Sequence, residues 1–246
     1  GKPHHRDALR RIVFDSGVVD RLGRPLRDLR ISVTDRCNFR CRYCMPRERF
    51  GEQHTFLPRR AYLSFSEIEK VVLACKPLGL EKVRITGGEP LLRPDLHELV
   101  STVSATGVEV ALTTNASLLS KQAAKLAEAG LDRVTVSLDA LDPEVHSQMT
   151  DSSTPVEAVL DGIDAALEAN LTPLKVNCVV QRGVNETEVA PLVRRFRGTG
   201  VTVRFIEYMD VGRTNGWHSG QVVPSADLIA HLQGEFDLTP LDSERP

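Results

Sequence analysis

Lys82-Val83-Arg84-Ile85-Thr86-Gly87-Gly88-Glu89-Pro90 reads as a strand that runs into a glycine turn. Successive strand side chains point to opposite faces, so Val83 and Ile85 share one face while Lys82, Arg84 and Thr86 share the other. Five more β-branched runs follow the same grammar, at 30–34, 108–114, 133–138, 174–180 and 202–208. In them Val134 and Val136, Val176 and Cys178, and Val203 and Phe205 fall on the face that helices can cover. The opposite faces carry Arg30, Ser32 and Thr34; Thr113 and Asn115; Ser137 and Asp139; Lys175 and Asn177; and Arg204. A parallel sheet covered on both faces should be apolar on both. Buried unpaired charges are costly, so the polar face predicts a lumen filled by water or ligand. Arg30, Lys82, Arg84, Lys175 and Arg204 suggest a polyanionic ligand, most simply a phosphate chain. Arg133 reads as a solvated rim group.

Between the runs lie helical stretches with start and stop signals. Ser66 and Glu69 form a capping-box pattern ahead of Ile68, Val71, Val72 and Cys75, and Gly79 follows as a stop. Thr154, Pro155 and Glu157 give an N-cap, a first-turn proline and the reciprocal acid. Ser120 opens a helix that Gly130 closes, and Asn185 with Glu188 opens another. Strands alternating with helices imply parallel pairing through helical crossovers. A closed barrel of this type needs eight units, so six predict an α/β fold with an open, partial (β/α)6 TIM-type barrel of parallel strands. A doubly wound open sheet is the alternative. The expected division is an N-terminal arm at 1–29, the barrel at 30–236 and the start of a C-terminal extension at 237–246.

The 246 residues are 41% hydrophobic, enough for one large domain, and a net charge of −2 argues against a nucleic-acid surface or a membrane patch. No apolar run approaches the roughly 20 residues of a membrane helix, and the first residues lack a secretory pattern. Five cysteines, three of them within eight residues, speak for a metal or cluster site in a reducing, cytoplasmic setting rather than a disulfide scaffold. Those three are Cys37, Cys41 and Cys44, placed just after the strand at 30–34. Three thiolates on one loop can hold three corners of a cubane and leave one iron open to a small chelator. Structural zinc wants four closed ligands, and no local fourth ligand is present. Cys75 and Cys178 fall on apolar faces and read as core residues.

The Cys-x-x-x-Cys-x-x-Cys spacing with Tyr43 before the last cysteine resembles the signature of radical S-adenosylmethionine (SAM) enzymes, and Gly87-Gly88-Glu89-Pro90 resembles their glycine-rich segment for the SAM amino group. In that family a 4Fe-4S cluster reduces SAM to methionine and a 5′-deoxyadenosyl radical. Further segments resemble the GTP 3′,8-cyclases of molybdenum cofactor biosynthesis (MoaA type). They are Val33-Thr34-Asp35-Arg36-Cys37, Thr113-Thr114-Asn115, Val136-Ser137-Leu138-Asp139, Lys175-Val176-Asn177 and Arg204-Phe205-Ile206-Glu207-Tyr208-Met209-Asp210.

The resemblance implies a lyase that converts GTP to (8S)-3′,8-cyclo-7,8-dihydroguanosine 5′-triphosphate. It implies that Cys37, Cys41 and Cys44 ligate the cluster, that Tyr43, Gly88, Ser137 and Met209 contact SAM, and that Arg30, Arg84, Thr113 and Lys175 contact GTP. Lys82 and Arg204 are weaker phosphate candidates, taken from the face pattern alone. The implied partners are GTP, a reductase or a flavodoxin- or ferredoxin-type electron donor, and the downstream cyclic pyranopterin monophosphate synthase, with a homodimer as one option for assembly. No nucleic acid or membrane is expected.

The sequence departs from the family pattern in having no cysteine after Cys178, where members carry three more for a second cluster that binds the guanine base. A C-terminal truncation with impaired turnover is therefore expected. Ala116 stands where a glycine is usual, and Asp151-Ser152-Ser153 fills a loop that is often basic. Two rival readings stay open: a radical SAM enzyme of another class, such as a peptide modifier, and a non-catalytic fragment that binds a cluster or a nucleotide.

Overall fold

The computed structural model describes residues 18–211 and 216–241. Most of the expected N-terminal arm and half of the expected C-terminal extension lie outside them. Six strands, β1 Asp28–Ser32, β2 Lys82–Thr86, β3 Glu109–Thr114, β4 Arg133–Ser137, β5 Lys175–Val180 and β6 Thr202–Glu207, form one sheet in chain order. The helices are α1 Arg47–Phe50, α2 Phe65–Cys75, α3 Leu96–Ala105, α4 Ala123–Glu128, α5 Pro143–Thr150, α6 Val156–Glu168, α7 Val189–Phe196 and α8 Ser225–Gln233. The fold is the α/β, partial (β/α)6 type with parallel strands that the alternation predicts. Among the described residues no helix is long and apolar enough to cross a membrane.

The chain divides into two compact units. The first comprises the described parts of Gly1–Asn38, with Gln53–Ser137 and Glu157–Lys175. Its strands β1 to β4 pair in parallel, with Arg30 opposite Arg84, Arg84 opposite Ala111, and Thr113 opposite Thr135. Val83, Ile85, Val110, Leu112, Val134 and Val136 are at most 1% exposed. They form the apolar face, and α3 packs on β3 while α2 and α4 pack on α3. The other face of β2 stays half-buried at Lys82, Arg84 and Thr86, as its polar residues require.

The second unit comprises Phe39–Glu52, Leu138–Val156 and the described parts of Val176–Pro246. In β5 Val176, Cys178 and Val180 are buried, while Asn177 and Val179 are half-buried. Strand β6 shows no such alternation, in keeping with its place at the end of the sheet order. Helix α7 buries Val189, Ala190, Leu192 and Phe196 and packs on β6 and α8.

Several local expectations shift. Helix α4 begins at Ala123 after Gln122, not at Ser120, and α7 begins at Val189 after Glu188, not at Asn185. The capping box of α2 is Ser64 and Glu67, not Ser66 and Glu69: Ser64 Oγ accepts from Glu67 N at 3.3 Å, and Glu67 Oε2 accepts from Ser64 N at 2.8 Å. Both pairs have the right spacing, but the helix begins at Phe65, so only Ser64 flanks it. Strand β1 begins two residues before the predicted 30–34, since Asp28 already pairs with Lys82. Gly79 and Gly130 do end their segments, at φ of 97° and 98°.

Candidate functional site

In the first unit the site is built from the loops that follow β1, β2 and β3. Gly88 N donates to Thr34 O and Glu89 N to Arg36 O, both at 2.7 Å. A Cβ on Gly87 would lie 2.6 Å from Thr34 O, and one on Gly88 would lie 2.2 Å from Arg36 O. The two glycines are thus needed first because the β2 loop lies directly on the backbone that leads to Cys37. A ligand contact at Gly88 uses whatever this half-buried backbone has left.

Glu89 is 1% exposed and fully bonded. Its Oε1 accepts from Leu91 N at 3.0 Å and from the Thr114 hydroxyl at 2.7 Å, and its Oε2 accepts from Asn115 N at 2.7 Å. Burial pushes its pKa up, and the three donors pull the other way. Asn115 is in turn the centre of a ring of polar groups. Its Nδ2 donates to Asn38 Oδ1 at 3.0 Å and lies 3.9 Å from Cys37 Sγ, while its Oδ1 accepts from Ser117 N at 3.1 Å and from Ser117 Oγ at 2.7 Å. Asn38 Nδ2 closes the ring on Ser117 Oγ at 2.9 Å. The sequence places Asn115 on the polar face but does not reveal this contact with Cys37. Ala116 follows at φ 59°, the left-handed conformation that explains the family's glycine.

Asp35 holds a further loop: its carboxylate accepts from Leu57 N at 2.7 Å and from the Tyr62 hydroxyl. Two of the cations stand without a bond. Arg30 and Arg84 are register partners on adjacent strands, and neither side chain makes a hydrogen bond or ion pair among the described residues. Lys82 differs. It lies 3.9 Å from Asp28 and 3.6 Å from Glu109, and Arg133 also pairs with Glu109. Lys82 and Arg133 thus belong to an ion cluster at the strand starts, the end away from the cysteine loop, which removes Lys82 from the phosphate candidates. Thr113, Ser137 and Lys175 are half-buried.

In the second unit the rest of the cysteine loop is pinned at several points. Cys44 N and Met45 N both donate to Cys41 O, at 2.9 and 2.8 Å. Arg40 N donates to Thr150 O at 2.8 Å, and Arg47 Nε to Asp151 Oδ2 at 2.7 Å. Asp151, the unusual acid, sits at φ 43° as the C-cap of α5 and serves as Arg47's partner. The Tyr43 hydroxyl donates to Asp139 Oδ2 at 2.7 Å, and Asp139 Oδ1 accepts from Val179 N at 2.8 Å. Burial pushes the Asp139 carboxyl up to about 6 despite both bonds. Burial, and then the Asp139 charge, pushes the Tyr43 phenol well above its ordinary value. Arg204 Nε donates to Asn177 Oδ1 at 2.9 Å. Met209 is 60% exposed.

Cys37 and Cys41 are half-buried and Cys44 is exposed, all as free thiols. Cys178 is fully buried, its thiol donates to Asp139 O at 3.5 Å, and burial pushes its pKa far up, which suits a core residue and not a ligand. Among the described residues no three His, Cys, Asp or Glu side chains converge to hold a single metal ion. A cubane makes no such demand, because each of its thiolates takes a different iron. Three thiols with no fourth are the donor set for a cubane with one open iron.

The radical SAM superfamily model matches residues 31–196. The chain is 52% identical over 231 residues to the GTP 3′,8-cyclase of Acidothermus cellulolyticus, covering 93% of this chain and 64% of the relative. It is 47% identical to the Staphylococcus carnosus GTP 3′,8-cyclase, covering 92% of this chain and 66% of that protein. It is 51% identical to that of Xanthomonas axonopodis pv. citri, covering 92% and 68%. The chain thus spans about two thirds of the length of these relatives. Among solved structures, Streptococcus suis SuiB bound to precursor peptide SuiA is similar in fold, with a TM-score of 0.67 at 18% identity over 89% of this chain and 47% of that one. Methylornithine synthase (PylB) gives a TM-score of 0.60 at 16% identity over 93% and 65%. On the family match and these identities, the chain belongs to the radical SAM superfamily and, within it, to the GTP 3′,8-cyclase family.

Proposed function

We propose that this chain carries the radical SAM part of a GTP 3′,8-cyclase, the lyase that forms (8S)-3′,8-cyclo-7,8-dihydroguanosine 5′-triphosphate from GTP for molybdenum cofactor synthesis. Cys37, Cys41 and Cys44 would hold the 4Fe-4S cluster. Tyr43, Gly88, Ser137 and Met209 would contact SAM, and Arg30, Arg84, Thr113 and Lys175 would contact GTP. When bound, the cluster and SAM supply a carbon radical that removes hydrogen from the ribose. The chain's own share is to hold the nucleotide and to keep the reacting atoms in line.

The observation that carries this reading is the Arg30–Arg84 pair. Two guanidiniums on register-paired positions, with no carboxylate on either among the described residues, repel each other until an anion sits between them. A triphosphate supplies that anion, and a peptide substrate needs none. The reading brings with it a reductase or a flavodoxin- or ferredoxin-type donor, cyclic pyranopterin monophosphate synthase downstream, a cytoplasmic setting and homodimeric assembly as its further proposals.

The test uses protein reconstituted with iron and sulfide under anaerobic conditions. Cys37→Ala, Cys41→Ala and Cys44→Ala should each lose the cluster absorbance, and Cys178→Ala should keep it. GTP should bind at least tenfold more tightly than guanosine, Arg84→Ala should abolish that preference, and Lys82→Ala should leave it intact. Equal affinity for GTP and guanosine, or equal losses in the two variants, refutes the phosphate role of this face.

A further inference from the structure

We infer that Asn115 is a positioning residue for the cluster: its side-chain amide donates to the Cys37 sulfur and tunes the cluster's reduction potential. The inference deepens the reading above and rests on Cys37 as a cluster ligand. Asn115 Nδ2 lies 3.9 Å from Cys37 Sγ, and its other donor direction is taken by Asn38 Oδ1 at 3.0 Å. The amide cannot flip without losing its bonds, because Oδ1 is held by Ser117 N at 3.1 Å and by Ser117 Oγ at 2.7 Å. The backbone beneath it is fixed as well, since Asn115 N is bonded to the buried Glu89 carboxylate at 2.7 Å. Asn115 is itself 8% exposed. A nearly buried amide with every other direction filled keeps one N–H facing sulfur.

A thiol is a weak acceptor, and a thiolate on iron is a better one, so the contact strengthens when the cluster is bound. Hydrogen bonds to cluster sulfurs stabilise the added negative charge of the reduced form and raise the potential. Glu89 therefore acts at two removes: it fixes Asn115, which faces Cys37. A structural role alone would change melting temperature or iron content and leave the potential where it is.

The experiment is anaerobic potentiometry of the reconstituted protein, followed by electron paramagnetic resonance, with iron content measured alongside. Asn115→Asp keeps the oxygen toward Ser117 and replaces the donor with an anionic oxygen, and Asn115→Ala removes both. Asn115→Ala should lower the reduced-to-oxidised ratio at a fixed potential by about fivefold, the usual net effect of one hydrogen bond, and Asn115→Asp by more. Should a variant fail to assemble the cluster, wild-type protein made with asparagine labelled with ¹⁵N in the side-chain amide serves instead. Its reduced cluster should show a nitrogen hyperfine coupling. Unchanged potentials in variants with full iron content, or no coupling in the labelled protein, overturn the inference. Full cluster occupancy in Cys37→Ala, which leaves no ligating atom, overturns it through its premise, and so separates failure of the ligand assignment from failure of the Asn115 role.

Discussion

Gly162→Ala sets two physical effects against each other. Gly162 lies inside α6, where glycine is unfavourable by about 1 kcal/mol relative to alanine, so helix propensity alone predicts a more stable protein. The structure predicts the reverse. A Cβ at this position would lie 2.3 Å from Ala116 O and 3.2 Å from both the Ala116 and Leu119 Cβ atoms. The obstacle is a backbone carbonyl that already accepts from Leu119 N at 2.9 Å, in a residue held at φ 59°. Overpacking a filled core costs about 1–3 kcal/mol, and a backbone obstacle belongs at the upper end of that range. Subtracting the propensity gain leaves a net loss of about 1–2 kcal/mol. For a chain of this size that lowers the melting temperature by roughly 2–8 °C. Circular dichroism melts of the reconstituted protein under anaerobic conditions measure it. A variant that melts at or above the wild-type temperature would show that α6 can move away from the loop after β3, and the close packing inferred there would be wrong.

Other outcomes follow from the buried carboxylates. Glu89→Gln should lose about 1–3 kcal/mol in urea unfolding, because both carboxylate oxygens face donors and one would become an amide nitrogen. Asp139→Asn should remove a pH dependence. Asp139 has a folded pKa of about 6 against an ordinary 3.8, so it favours the folded state at low pH and loses that contribution as pH rises through about 6. Wild-type stability relative to the variant should fall by about 1 kcal/mol between pH 5 and pH 7, and a flat difference across that range refutes the burial argument.

The fold was largely legible because β-branched alternation is a local property. The strand at Lys82–Thr86 matches its predicted bounds, and β4 and β5 differ from theirs by one residue at an end. The capping box of α2 was misplaced because two Ser-x-x-Glu patterns overlap, and sequence cannot say which serine stands outside the helix. The faces were legible too, so Arg30 and Arg84 could be picked out. What alternation does not give is which neighbour lies opposite. Lys82 shares a face with Arg84, yet register sets Lys82 beside Glu109 and Arg84 beside Ala111. One cation is neutralised and the other is not. The Asn115 and Cys37 contact joins residues 78 apart, and Tyr43 meets Asp139 across 96. No local pattern encodes either.

Those two contacts share a design, one in each unit. Glu89 and Asp139 both lie just past a strand end, after β2 and after β4. Each carboxylate accepts a backbone N–H from the next strand or its end, Asn115 N in one case and Val179 N in the other. Each then supports a side chain of the cysteine loop, Glu89 through Asn115 toward Cys37, and Asp139 directly to Tyr43. Among the described residues neither has a cation beside it, so each bears a desolvation cost that a hydrophobic residue would avoid. What the carboxylate gives in return is direction: an apolar side chain cannot fix a neighbouring backbone and orient a cluster-loop residue at once. The two differ in how they tolerate an amide. All three partners of Glu89 are donors, and two of them are backbone N–H groups that cannot turn away. The partner of Asp139 Oδ2 is a phenol, which can rotate to accept as well as donate. Glutamine at 89 should therefore destabilise the protein and disturb Cys37, while asparagine at 139 should keep Tyr43 in place.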